Sequence, residues 1–222
     1  MSHAEPTLDL RSAVAATFAH SPLVAVVRTA TFEEAERQAH LFIAGGVRLV
    51  EITFTVPDAT RLVRRLLQER GRVGGEHHVG MGTVTGGERA RQALAAGAEF
   101  VVSPNVSAEV AAAAREAGVF VLLGAATPTE IVAAREAGAD LVKVYPLPPL
   151  GGPAYLRTVR GPLGDVPMLA AGGFGPEEIP AYREAGAVAF GIGPQLLASS
   201  DEESLRRIAG ALALARGGGS GA

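Results

Sequence analysis

The chain has 222 residues, a formal net charge of −3 with both signs interspersed, and no cysteine. That length suits one large domain. The mixed charge argues against nucleic acid or an anionic membrane as a partner, and the missing cysteine excludes disulfides, thiolate metal sites and a cysteine nucleophile together.

The first residues, MSHAEPTLDLRSAVAATF, lack the basic start and continuous apolar core of a signal peptide. No later segment has the apolar length needed to span a bilayer. A cytoplasmic protein with a small-molecule ligand is expected. The first predicted strand, Leu23 to Val27, runs into Arg28 and then into the helix-starting segment TATFEEAERQAH. From there one phrase recurs: IAGGVRLVEITF, LAAGAEFVVSP, REAGVFVLLG, REAGADLVKVYP and REAGAVAFGIG. Its Ala-rich first half favours helix, its glycine permits the left-handed turn that ends one, and its β-branched second half favours strand. The further strands predicted in chain order are Leu49 to Thr53, Val79 to Thr83, Phe100 to Ser103, Val119 to Leu123, Leu141 to Tyr145, Pro167 to Ala171 and Val188 to Gly191.

About eight βα units in one chain predict a closed parallel (β/α)8 barrel. The barrel takes residues 1–216, followed by a flexible Gly/Ser tail over 217–222. The competing architecture is an open doubly wound sheet. It calls for a glycine-rich loop after an early strand, and VVRTATFEE has no glycine.

In such a barrel alternate strand residues face the axis, and ligands bind at the C-terminal strand ends. In LVEITF this places Glu51 and Thr53 inward and leaves Val50, Ile52 and Phe54 for the helices. In LVKVYP, Lys143 and Tyr145 face inward, while Arg28 and Thr83 end their own strands at the same pole. Lys143 is the one lysine in the chain; every other fixed cation is an arginine. A guanidinium cannot attack a carbonyl, whereas an amine can, so a nucleophilic role accounts for one retained lysine. The competing reading is a structural ion pair with Glu51, which in the functional reading moves protons. GEHHVG, residues 75–80, reads as a solvated loop at the far pole rather than a metal site. Gly172, Gly173, Gly191 and Gly193 follow strands seven and eight, where backbone N–H groups can cradle an anion.

Taken in order, VVR, VEITFT, GMGTV, SPN, LGAATPTE, LVKVYP with its following GG, and AAGGFGPEEIPAYREAGA resemble the 2-keto-3-deoxy-6-phosphogluconate and 4-hydroxy-2-oxoglutarate aldolases. The resemblance runs from about Ser21 to Leu197. It implies a homotrimeric barrel with no metal and no cofactor beyond a Schiff base to pyruvate. It also implies Lys143 as the imine-forming amine, Glu51 as acid and base, Thr83 on the pyruvyl carboxylate, Arg28 as a site cation, and Pro104 and Tyr145 as pocket walls. The expected reaction is cleavage of a 2-keto-3-deoxy-4-hydroxy acid to pyruvate and either glyceraldehyde 3-phosphate or glyoxylate. The chain departs from the family's pattern at three positions. Thr55 stands where relatives often carry an arginine for the carboxylate, which passes that task to Thr55 and Thr83, with Arg28; Thr53 is expected among the substrate-binding residues. Ala171 replaces a threonine, and Pro194 replaces a serine in the phosphate loop. A non-catalytic ligand-binding barrel and a sugar-phosphate isomerase or synthase remain as alternatives.

Overall fold

A computed structural model describes residues 9–73 and 75–217. Eight parallel strands close into a barrel in sequence order: β1 (Leu23–Val27), β2 (Leu49–Thr53), β3 (His78–Gly82), β4 (Phe100–Val102), β5 (Phe120–Ala125), β6 (Leu141–Val144), β7 (Met168–Ala171) and β8 (Ala189–Ile192). β1 pairs with both β2 and β8, so the sheet has no free edge. Every expected strand is present, β1 and β2 with the expected bounds and the others with ends shifted by one or two residues. Thr83 and Tyr145 fall just beyond their strands rather than within them.

Helices return the chain between strands: α2 (Phe32–Ala44), α3 (Ala59–Val73), α4 (Gly87–Ala95), α5 (Ala108–Glu116), α6 (Pro128–Glu136), the short α7 (Leu147–Leu150), α8 (Gly152–Arg160) and α9 (Ile179–Glu184). α1 (Leu10–His20) precedes the barrel and α10 (Asp201–Arg216) follows it. Several of their starts carry side-chain caps. Thr31 accepts from the Glu34 N–H, Ser107 from Val110 and Ser200 from Glu203, and Thr127 forms a reciprocal capping box with Glu130. The recurring phrase ends five helices in one way. Gly46, Gly97, Gly118, Gly138 and Gly186 all have positive φ. The N–H of the next residue then reaches back five positions, from Val47 to Phe42, Ala98 to Ala93, Val119 to Ala114, Ala139 to Ala134 and Ala187 to Tyr182. This is the Schellman closure, and it aims each following strand into the barrel.

The core has two layers. The outer faces of the strands, including Val50, Ile52, Val142 and Val144, pack against the helices. The lower interior is filled by Val24, Leu49, Phe100, Phe120, Leu122, Leu141, Leu169 and Ala189. α1 closes the N-terminal mouth by inserting Val14 and Phe18 into that layer, with the Phe18 ring stacked 4.9 Å from Phe120 and edge-on to Phe100. Arg11 Nε, 2.9 Å from Asp140 Oδ1, ties α1 to the strand above it.

The reading of residues 75–80 as a solvated loop is corrected. His77 is only 8% exposed and His78 opens β3. Nearby, Glu99 is buried and accepts from Arg70 Nη1 at 2.7 Å and from the Val79 N–H at 3.0 Å, with His78 Nδ1 3.5 Å away. Burial opposes ionisation of Glu99, but His78, Arg70 and the Val79 N–H outweigh it and lower its pKa to about 2. Among the described residues no group of three or more His, Cys, Asp or Glu could hold a metal ion, and no described helix is long and apolar enough to cross a membrane. Gly217, the first residue of the expected tail, caps α10 with φ 84°; residues 218–222 lie outside the described residues.

Candidate active site

Above the apolar layer the interior becomes polar. Glu51 rises from the middle of β2 and Lys143 from β6, with Nζ 3.9 Å from Oε2 and side chains 3% and 12% exposed. Both point inward, as strand parity requires. Glu51 has room because β3 has glycine beside it. A Cβ on Gly82 would lie 1.8 Å from Glu51 Oε1, and one on Gly80 would lie 2.5 Å from the Phe100 ring. The alternation in GMG therefore hollows the wall for a carboxylate above and an aromatic ring below. Gly124, paired in register with Lys143, does the same for Pro104, whose carbonyl carbon and oxygen would lie 2.2 Å from a Cβ there.

Glu51 Oε1 is buried and has no hydrogen-bond partner among the described residues. A buried pair that serves only stability needs close contact and satisfied lone pairs. This pair has neither, since 3.9 Å exceeds hydrogen-bond range.

One wall of the site is a hydroxyl and guanidinium network. Arg28, immediately after β1, donates through Nη1 to Thr55 Oγ1 and through Nη2 to Thr83 Oγ1, both at 3.1 Å. Thr53 donates to the Val27 carbonyl at 2.9 Å and sits 2.8 Å from the Thr55 hydroxyl. Thr53 is fully buried, so it positions Thr55 instead of facing the cavity. Thr83 holds φ at 59°, a strained value for a β-branched residue. Arg28 on its hydroxyl and Arg89 Nη1 on its carbonyl, at 3.0 Å, hold it there.

Arg28 and Lys143 also line a cavity of about 290 Å³ at the C-terminal strand ends. Tyr145, Gly172, Gly173, Gly191 and Gly193 line it as well. Tyr145 is 42% exposed, with its ring centre 5.6 Å from Lys143 Nζ. Gly172 and Gly173 adopt φ of 135° and 95°, and a Cβ on Gly172 would meet the Leu147 nitrogen at 2.7 Å. Glycine is therefore required where the loop after β7 folds against the start of α7. The expected residues thus converge, except that Thr53 stands behind Thr55 and Pro104 reaches the site through its packing against Gly124. Sequence reading did not single out Gly82, Gly124, Val26 or Gln195. The parity of GMG opposite Glu51 was a usable signal for Gly82; the contact of Gly124 with Pro104 comes from separate strands and had none.

An amine beside a cavity can add to a carbonyl, and an adjacent carboxylate can carry protons. The cation and hydroxyls along one wall suit a substrate carboxylate.

Residues 14–210 match the family described as KDPG and KHG aldolase. The chain is 37% identical over 151 residues to the 2-dehydro-3-deoxy-phosphogluconate aldolase of Treponema pallidum, covering 68% of this chain and 70% of that one. It is 31% identical over 176 residues to the 2-dehydro-3-deoxy-6-phosphogalactonate aldolase of Escherichia coli K12, covering 79% and 84%. A solved structure described as native KDPGal superimposes with a TM-score of 0.78 at 30% identity, over 88% of this chain and 95% of that one. With the barrel, the polar upper interior and this agreement along most of its length, the chain belongs to the KDPG and KHG aldolase family, a family of lyases.

Proposed function

We propose that the protein is a class I aldolase that splits a 2-keto-3-deoxy-4-hydroxy acid into pyruvate and an aldehyde. The observation that carries this reading is the separated, under-satisfied pair formed by Lys143, which lines the cavity, and Glu51, 3.9 Å from its Nζ. The substrate carboxylate lies on Arg28, Thr55 and Thr83. The unprotonated Lys143 amine adds to the C2 ketone to give a carbinolamine, and loss of water gives the iminium. Removal of the C4 hydroxyl proton breaks the C3–C4 bond; the aldehyde leaves, and the bonding pair passes into the iminium to form an enamine. Protonation at C3 and addition of water then release pyruvate and the free amine. Glu51 is the carboxylate placed to carry these protons. The sequence needs no metal or prosthetic group.

The relatives named above are aldolases of 6-phosphorylated sugar acids or of a deoxy-phosphogluconate. The same chemistry at C2 to C4 applies here to that class and to 4-hydroxy-2-oxoglutarate. A cytoplasmic homotrimer belongs to the same reading, and a monomeric mass by light scattering contradicts that part alone. The direct test is pyruvate release from 2-keto-3-deoxy-6-phosphogluconate, its dephosphorylated form and 4-hydroxy-2-oxoglutarate, followed by coupled NADH oxidation. Release from at least one is expected. Release from none overturns the assignment.

A further inference from the structure

We infer that Arg89, which does not line the cavity, is a positioning residue for the substrate carboxylate, acting through Thr83 on Arg28. This rests on the aldolase reading. Arg28 does line the cavity, and the hydroxyls of Thr55 and Thr83 fix the direction of its guanidinium. The Thr83 hydroxyl stays within reach of Arg28 only while the Thr83 backbone stays left-handed. With φ at 59°, Thr83 shares a positive φ with just one other non-glycine residue among the described residues, Asp58. A β-branched residue leaves that region unless its surroundings hold it.

Arg89 supplies that hold from behind. Its Nη1 donates to the Thr83 carbonyl at 3.0 Å and lies 3.4 Å from Thr85 Oγ1. Its guanidinium also lies over the Phe54 ring, 5.4 Å from the ring centre, and Phe54 immediately precedes Thr55. One cation thus braces both segments that present hydroxyls to Arg28. Helix stability does not explain an arginine here. Arg89 sits in the first turn of α4, where the helix dipole disfavours a cation, and that helix starts at Gly86 with no side-chain cap. Its place is accounted for by what it holds. Without it, Thr83 relaxes to an ordinary backbone conformation, and a bound carboxylate has to reselect the strained one, which weakens apparent binding by the fraction still competent.

The test is the ketone concentration that gives half-maximal borohydride trapping on Lys143, measured for pyruvate and for methyl pyruvate, whose ester offers Arg28 no charge. In Arg89→Leu the value for pyruvate should rise about tenfold while that for methyl pyruvate changes less than about twofold, and trapping at saturating pyruvate should stay near wild type. Arg89→Lys keeps the charge and a donor but loses the planar guanidinium, so its loss should be smaller and again confined to pyruvate. An unchanged value for pyruvate in Arg89→Leu overturns the inference, and so do equal losses on both ketones, the result of a general loosening of the fold. Where Arg89→Leu does not fold, Arg89→Lys decides by the same comparison. A wild type that traps pyruvate no better than its ester overturns this inference alone, whereas a wild type that traps neither overturns the aldolase reading with it.

Discussion

Glu51 and Lys143 face each other across 3.9 Å in a chain that has no other lysine, and the room for that arrangement comes from a missing side chain opposite them. Glu51→Gln keeps the shape and removes the proton carrier. Turnover should fall by on the order of 10² to 10⁴, the usual worth of a positioned acid or base, while some imine still forms. Gly82→Ala tests the same geometry from the other wall. Its methyl would occupy the position of Glu51 Oε1, so the carboxylate must move, and overpacking adds about 1–3 kcal/mol of destabilisation. The expected outcome is a folded protein whose turnover is reduced at least as far as in Glu51→Gln. Wild-type turnover in both variants, measured under saturating substrate, contradicts the role given to Glu51.

Among the elements, α1 has the clearest separable task, because its Phe18 fills the bottom of the barrel between Phe120 and Phe100. Phe18→Ala should cost about 3–5 kcal/mol of stability, read by urea unfolding. A loss below about 1 kcal/mol would mean that α1 merely lies over an already packed barrel. This plug was not legible in the sequence, since AVAATF reads only as an apolar helix and its partners lie about eighty and one hundred residues away. The barrel itself was legible because every unit repeats the same local chemistry, a helix-ending glycine followed by a β-branched run. Strand parity alone placed Glu51 and Lys143 inside. What parity does not reveal is a side chain's partner. The hold of Arg28 on Thr55 and Thr83, the passage of Pro104 across Gly124 and the burial of His77 depend on contacts between residues far apart in the chain or on packing that parity does not show. The carboxylate-binding role proposed for Thr55 and Thr83 rests on the family resemblance.

Across the whole molecule the two poles of the barrel have different work. The upper pole holds the cavity, and the lower pole holds the buried Glu99 with Arg70 and His78 against it and His77 nearby. Glu99 has its pKa lowered to about 2 from 4.5, so it contributes stability that is fully present above pH 4.5 and is lost as pH falls toward 2. His77 is held below its usual 6.5, by burial first and by the charge of Arg70 next. Protonation therefore favours the unfolded chain, and His77 also lowers stability as pH falls below 6.5. Glu99→Gln should cost on the order of 3 kcal/mol at pH 7, with the gap to wild type closing between pH 4.5 and 2, while pyruvate trapping is retained. A gap independent of pH contradicts the ionised pairing. The central claim is that Lys143 forms the covalent intermediate, and the most direct measurement is borohydride reduction in the presence of pyruvate followed by peptide mass mapping. Wild type should carry one reduced pyruvyl group on Lys143, and Lys143→Arg should carry none and be inactive. An unmodified Lys143, an adduct confined to the N-terminal amine, or turnover near wild type in Lys143→Arg would contradict it.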